Sequence, residues 1–119
     1  MGLTMAVLDR ASAIIKETID DLVNRQFSKL ERDGRIGRLT PSQLEEAIAR
    51  YGRTLVEFPI ESLQNSHVYP IESMQNNSWN VEVELWTVEE GLSDLTLSFT
   101  LTEIDPEIFS LEIYDLHVL

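Results

Sequence analysis

The stretch Trp79-Asn80-Val81-Glu82-Val83-Glu84-Leu85-Trp86 decides the fold. Trp79, Val81, Val83 and Leu85 take every second position, and Asn80, Glu82, Glu84 and Trp86 lie between them. A period of two sends the two sets to opposite faces of a strand. The pattern returns twice downstream. Leu95, Leu97, Phe99 and Leu101 alternate with Asp94, Thr96, Ser98, Thr100 and Thr102, and Phe109, Leu111 and Ile113 alternate with Ser110, Glu112 and Tyr114. Glu89-Glu90-Gly91 and Asp105-Pro106-Glu107 supply turn chemistry between the three runs. Three strands joined by short turns form an antiparallel meander with one buried and one wet face.

Working back toward the N-terminus, Thr54 to Phe58 reads as a short first strand, stopped by Pro59. Ile60 to Ser78 is rich in Asn, Gln and Ser and contains Pro70. That composition suits a long loop, or one that holds a short strand around His67 to Ile71. Thr40-Pro41-Ser42-Gln43 opens a helix. Thr40 is the N-cap, Pro41 sits at N1, and Gln43 completes a capping box. Leu44, Ala47, Ile48 and Tyr51 form its apolar stripe, and Gly52 ends it, giving a helix over 40–51. Upstream, Val7, Leu8, Ala11, Ile14, Ile15, Ile19, Leu22, Val23, Phe27 and Leu30 recur at helical steps. They predict one long helix over 4–31, with two copies able to associate through it. The expected architecture is α+β: two N-terminal helices on one face of a four-stranded antiparallel sheet spanning 54–119, a cystatin-like or NTF2-like roll. With 119 residues the chain is read as a single domain, 1–119.

The turns set an expected register in which Leu85 lies opposite Leu97 and Leu101 opposite Leu111. The wet face then shows three rows: Glu82, Thr100 and Glu112; Glu84, Ser98 and Tyr114; Trp86, Thr96 and Leu116. The alternation slips after Tyr114, and a bulge near Asp115 restores an inward Leu116 and Val118.

Charge is divided unevenly. All nine Lys and Arg lie between Arg10 and Arg53, where eight acids accompany them. Residues 54–119 hold thirteen Asp and Glu and no Lys or Arg, and the net charge is −12. Phosphate neutralisation needs clustered bases, so neither nucleic acid nor anionic membrane is an expected partner. The three arginines of Arg32-Asp33-Gly34-Arg35-Ile36-Gly37-Arg38 are expected to pair with acids of the second half. The absence of cysteine removes thiolate catalysis and thiolate metal sites and suits a cytoplasmic setting. No apolar stretch approaches a membrane span, and the run Met5 to Leu8 stops at Asp9 without a signal-peptide pattern. Two histidines without metal-ligand spacing, and no nucleophile motif, leave no expected metal, cofactor or catalytic residue.

Aromatic groups beside uncompensated acids suit docking to a basic protein, with Glu82, Glu84, Trp86, Glu112 and Tyr114 as contact residues. An alternative is a ligand-binding or enzymatic pocket between the first helix and the sheet. It would be lined by Phe99, Leu101, Leu111 and Ile113, with Asp115 orienting His117 at its rim.

Leu39 to Thr54, Glu84-Leu-Trp-Thr-Val-Glu-Glu-Gly-Leu-Ser-Asp-Leu-Thr-Leu97 and the terminal Asp115-Leu-His-Val-Leu119 resemble a small bacterial domain family of unknown function. The resemblance implies no catalytic residues. The order of helices, then strands, with acidic bias is also similar to small immunity proteins that neutralise bacterial toxins. That likeness is one of architecture, and it implies a non-enzymatic inhibitor of a basic, nuclease-type toxin.

Overall fold

The computed structural model describes residues 2–72 and 75–118. Its elements are α1 (Gly2–Arg10), α2 (Ser12–Val23), α3 (Phe27–Arg32), α4 (Pro41–Tyr51), a 3₁₀ helix (Ile60–Asn65), β1 (His67–Ile71), β2 (Ser78–Thr87), β3 (Gly91–Asp105) and β4 (Ile108–Val118). The four strands form one antiparallel sheet in the order β1-β2-β3-β4. The α+β architecture is therefore as expected, with helices on one face.

The single long N-terminal helix is not. It is divided into α1, α2 and α3. At Ala11 the divide is slight, because Ala11 N still donates to Val7 O and Ile15 N to Ala11 O. After Val23 the helix stops. Gln26 N donates to Asp21 O at 2.8 Å, Arg25 N donates to Leu22 O at 3.1 Å, and Arg25 has φ 59°. That is a Schellman closure with arginine where glycine is usual. The apolar periodicity continues across the stop because Phe27 and Leu30 re-enter the same core as Leu8, Ile15, Ile19 and Leu22. The stripe is consumed inside this chain.

α4 forms as its caps require. Thr40 Oγ1 accepts from Gln43 N at 3.1 Å, Gln43 Oε1 accepts from Thr40 N at 2.9 Å, and Gly52 closes the helix at φ 74°. Leu44 and Ile48 are its buried residues.

The first strand is His67–Ile71, not Thr54–Phe58. Residues 54–56 make only an isolated bridge, Leu55 with Thr87, where Val56 N donates to Trp86 O and Val88 N to Thr54 O. Pro59 then turns the chain into the 3₁₀ helix; Phe58 before the turn and Leu63 within the helix are both buried in the core. At the opposite edge, Ile36 bridges Ile113 in parallel, with Ile113 N donating to Arg35 O at 2.7 Å and Gly37 N to Ile113 O at 3.2 Å. The loop before α4 thus pairs with the β4 edge at Ile113. The β1 edge is five residues long and interrupted by Pro70.

The register differs from expectation by two residues between β2 and β3. Val83, not Leu85, faces Leu97. Between the Glu84–Thr96 and Trp86–Leu92 pairs, β3 carries two more residues than β2. Ser93 fills the broken ladder: its Oγ donates to Leu85 O at 2.8 Å and accepts from Leu95 N at 3.1 Å. A slip of two preserves the faces, so every alternating apolar residue still points inward. Between β3 and β4, Leu101 faces Leu111 as expected, and Tyr114 is the extra residue of a bulge. Leu116 turns inward beyond it, whereas Val118 remains 53% exposed.

Ion pairs tie the halves together at two points. Arg10 Nη1 lies 2.6 Å from Glu103 Oε2 and its guanidinium 5.2 Å from the Phe109 ring centroid, while Lys16 Nζ lies 3.3 Å from Glu57. The arginine loop meets β4 through its backbone, but its arginine side chains do not pair with acids of the second half as expected. Arg35 pairs with Glu17 and donates to Thr18 Oγ1, and Arg32 pairs with Asp33.

Candidate docking surface

Side chains on the helix-free face follow from the register. One rung crosses all four strands: His67, Glu82, Ser98 and Asp115. Below it run Tyr69, Asn80, Thr100 and Glu112, and above it Glu84, Thr96 and His117. The expected rows are re-dealt, since only the Thr100–Glu112 neighbourship is retained. Hydroxyls make the centre of this face. Thr100 Oγ1 donates to Asn80 Oδ1 at 3.0 Å and Ser78 Oγ to Thr102 Oγ1 at 3.1 Å.

Glu82, Glu84, Glu112 and Tyr114 all stand on this face, together with Asp115. Among the described residues, only Glu57 and Glu103 of the thirteen acids from residue 54 onward pair with Lys or Arg. The carboxylates of the face are therefore answered by no Lys or Arg side chain. Glu112 also lies over Gly37, where an added Cβ would come within 2.5 Å of its Oε1.

Burial raises the Tyr114 phenol above the ordinary tyrosine value, and the Glu82 and Asp115 carboxylates add to the effect. The Ser98 hydroxyl beside it acts in the opposite sense. No aligned hydrogen bond joins the two, and Ser98 Oγ has no partner.

Trp86 is the member of the expected set that does not belong. Its Nε1 donates to Ser62 Oγ at 2.7 Å, and its ring is half-buried against the core. The 3₁₀ helix covers it, so it is structural rather than a free anchor. His67 and Tyr69 join the surface instead. The short strand offered as an alternative at His67 to Ile71 is the one that forms, but with little alternation and Pro70 inside it, its sequence does not mark these two as surface residues.

Asp115 and His117 do come together, with Nδ1 of the imidazole 3.0 Å from Asp115 Oδ2. The alignment is not that of a hydrogen bond. His117 also borders a surface cavity of about 340 Å³ lined by Ala47, Arg50, Tyr51, Leu95, Leu116 and Val118. The cavity lies between α4 and the end of β4. The pocket expected between the first helix and the sheet is filled core: Phe99, Leu101, Leu111 and Ile113 are each at most 2% exposed. Glu17, Asp21 and Asp33 bring carboxylate oxygens within 4.8 Å of one another, but Lys29 and Arg35 answer them, at 2.9 Å from Asp21 and 3.2 Å from Glu17.

Among the described residues, no helix is long and apolar enough to cross a membrane. The class defined by this geometry is a small α+β domain whose four-stranded antiparallel meander leaves one face to solvent. The chain belongs to the family described as Domain of unknown function (DUF7668), whose model matches residues 19–119. The match begins inside α2 and takes in the whole sheet, in keeping with the expected small domain family of unknown function. No curated protein and no solved structure matches the chain.

Proposed function

We propose that the chain is a non-enzymatic docking domain that presents its acidic sheet face to a basic protein in the cytoplasm. The observation that carries this reading is the concentration of Glu82, Glu84, Glu112 and Asp115 on one face built from strands without Lys or Arg. Such a field steers a basic partner and repels an acidic one. An immunity protein against a nuclease toxin is the most concrete form, because it would cover a surface made to hold phosphates.

The test is affinity capture from a host lysate at low and at ~0.5 M salt, beside the variant Glu82→Lys/Glu84→Lys/Glu112→Lys. A basic protein held by wild type, released by salt and ignored by the variant supports docking. Capture that disregards both salt and charge reversal overturns it.

A second reading has its own observation, the Asp115–His117 pair beside the cavity of about 340 Å³. That volume is within the range of small-ligand sites, ~300–1,000 Å³. A small-molecule binder there would lose its ligand on His117→Ala and keep it in the triple charge reversal.

A further inference from the structure

The central rung of the face has a property that solvation alone does not require. Ser98 is 1% exposed, and its Oγ lacks a hydrogen-bond partner. A hydroxyl shut off from water and left unpaired is costly, and native chains rarely keep one without a use. Its rung neighbours are Glu82 on β2 and Asp115 on β4. Tyr69 stands one rung away on β1, and the bulge sets Tyr114 next to Asp115.

We infer that this rung is a subsite for one arginine side chain of the basic partner. Tyr69 and Tyr114 offer ring faces, Glu82 and Asp115 accept its N–H groups, and the Ser98 hydroxyl accepts at the floor. The inference rests on the docking reading above and names the group that the face recognises.

Spacing favours arginine over lysine. Glu82 and Asp115 are two strands apart, about 10 Å at the backbone, and Ser98 lies midway. A planar guanidinium above Ser98 directs donors toward both sides at once, and its flat face stacks on phenol rings. A lysine ammonium is a compact point charge with three donors and cannot serve both edges. Tyr114 lies beside the buried Ser98, and entry of the guanidinium requires its side chain to turn aside.

The experiment uses the full chain at pH 8 and low salt, with N-acetyl-arginine amide and N-acetyl-lysine amide as probes, read by NMR on the ring signals of the three tyrosines. Tyr51 is the internal control, because its hydroxyl donates to Glu90 away from this face. The arginine probe is expected to shift Tyr69 and Tyr114 and leave Tyr51 unmoved, with the lysine probe about tenfold weaker. Ser98→Ala and Tyr69→Leu should each weaken the arginine probe several-fold. Tyr69 is 51% exposed, so its variant keeps the fold even should a Ser98 variant not.

Equal affinity for the two probes, or indifference to both substitutions, overturns the subsite. A hexa-arginine peptide that binds wild type, Ser98→Ala and Tyr69→Leu alike, yet is lost in the triple charge reversal, overturns the subsite and leaves the docking face standing. Arginine-probe shifts at Tyr69 and Tyr114, in a chain that captures no basic protein, uphold the subsite and overturn the docking function.

Discussion

The indole Nε1 of Trp86 donates to the Ser62 hydroxyl at 2.7 Å, joining β2 to the 3₁₀ helix. This bond ties the most conspicuous aromatic side chain of the strand region into the fold. Ser62→Ala leaves a half-buried N–H unpaired and should lower stability by about 1–2 kcal/mol. Trp86→Ala should cost about 3 kcal/mol, chiefly through lost packing. Urea unfolding measures both. Unchanged stability in Trp86→Ala together with lost partner binding would return Trp86 to the contact surface.

Acid should weaken the fold through two turn-region carboxylates. The Arg10 guanidinium holds the Glu103 carboxyl below the ordinary glutamate value, with help from Asn77. The Thr54 backbone N–H does the same for Glu89. A depressed folded value means stability present above the unfolded pKa and lost as pH falls through the folded one. Thermal unfolding between pH 7 and pH 3 should show that loss, and Glu89→Gln should make the decline shallower. An unaltered pH slope in that variant would refute the assignment.

Alkali acts through the opposite sign. Burial raises the Tyr51 and Tyr114 phenols, and Glu90 and Glu82 respectively contribute. A phenol whose folded value is raised contributes stability that is complete below its unfolded pKa and disappears as pH climbs through the folded one. Ultraviolet titration should find late ionisation that becomes smaller in amplitude in Tyr51→Phe and in Tyr114→Phe. The Tyr51 variant also loses the bond to Glu90 at 2.7 Å, and should be less stable by about 1 kcal/mol at neutral pH.

Gly37→Ala tests the seam beside β4. The new Cβ meets Oε1, Cδ and Cγ of Glu112, all in one flexible side chain, so that side chain must shift as a whole. Stability should change by less than about 1 kcal/mol. The substitution moves the Glu112 charge without deleting it, and NMR of the Glu112 side chain would record the displacement. A large destabilisation would show that Glu112 cannot yield.

Period-two patterning in Trp79–Trp86, Leu95–Leu101 and Phe109–Ile113 was enough to reveal the three long strands and their faces. So was the Thr40-Pro41-Ser42-Gln43 cap for α4. What escaped has local causes. Arg25 takes a left-handed conformation without being glycine, so no residue type marked the end of α2. The two-residue slip between β2 and β3 depends on Ser93, whose hydroxyl replaces a backbone group, a role that a serine does not advertise. On the surface, Glu82, Glu84, Glu112 and Tyr114 were legible from alternation, whereas Trp86 had the same phase but a cover contributed by residues far away in sequence. His67 and Tyr69 lay in a stretch whose polar composition resembled a loop.

The two ends of the sheet constrain how the molecule can meet others. Residues 35–37 bridge β4 at Ile113, and β1 is brief and broken by Pro70. A strand edge that is bridged, short or broken by proline is a poorer template for a foreign strand. Under the docking proposal, recognition would fall to side chains on the open face. On that proposal, point substitutions there could exchange one client for another while the scaffold stays as it is.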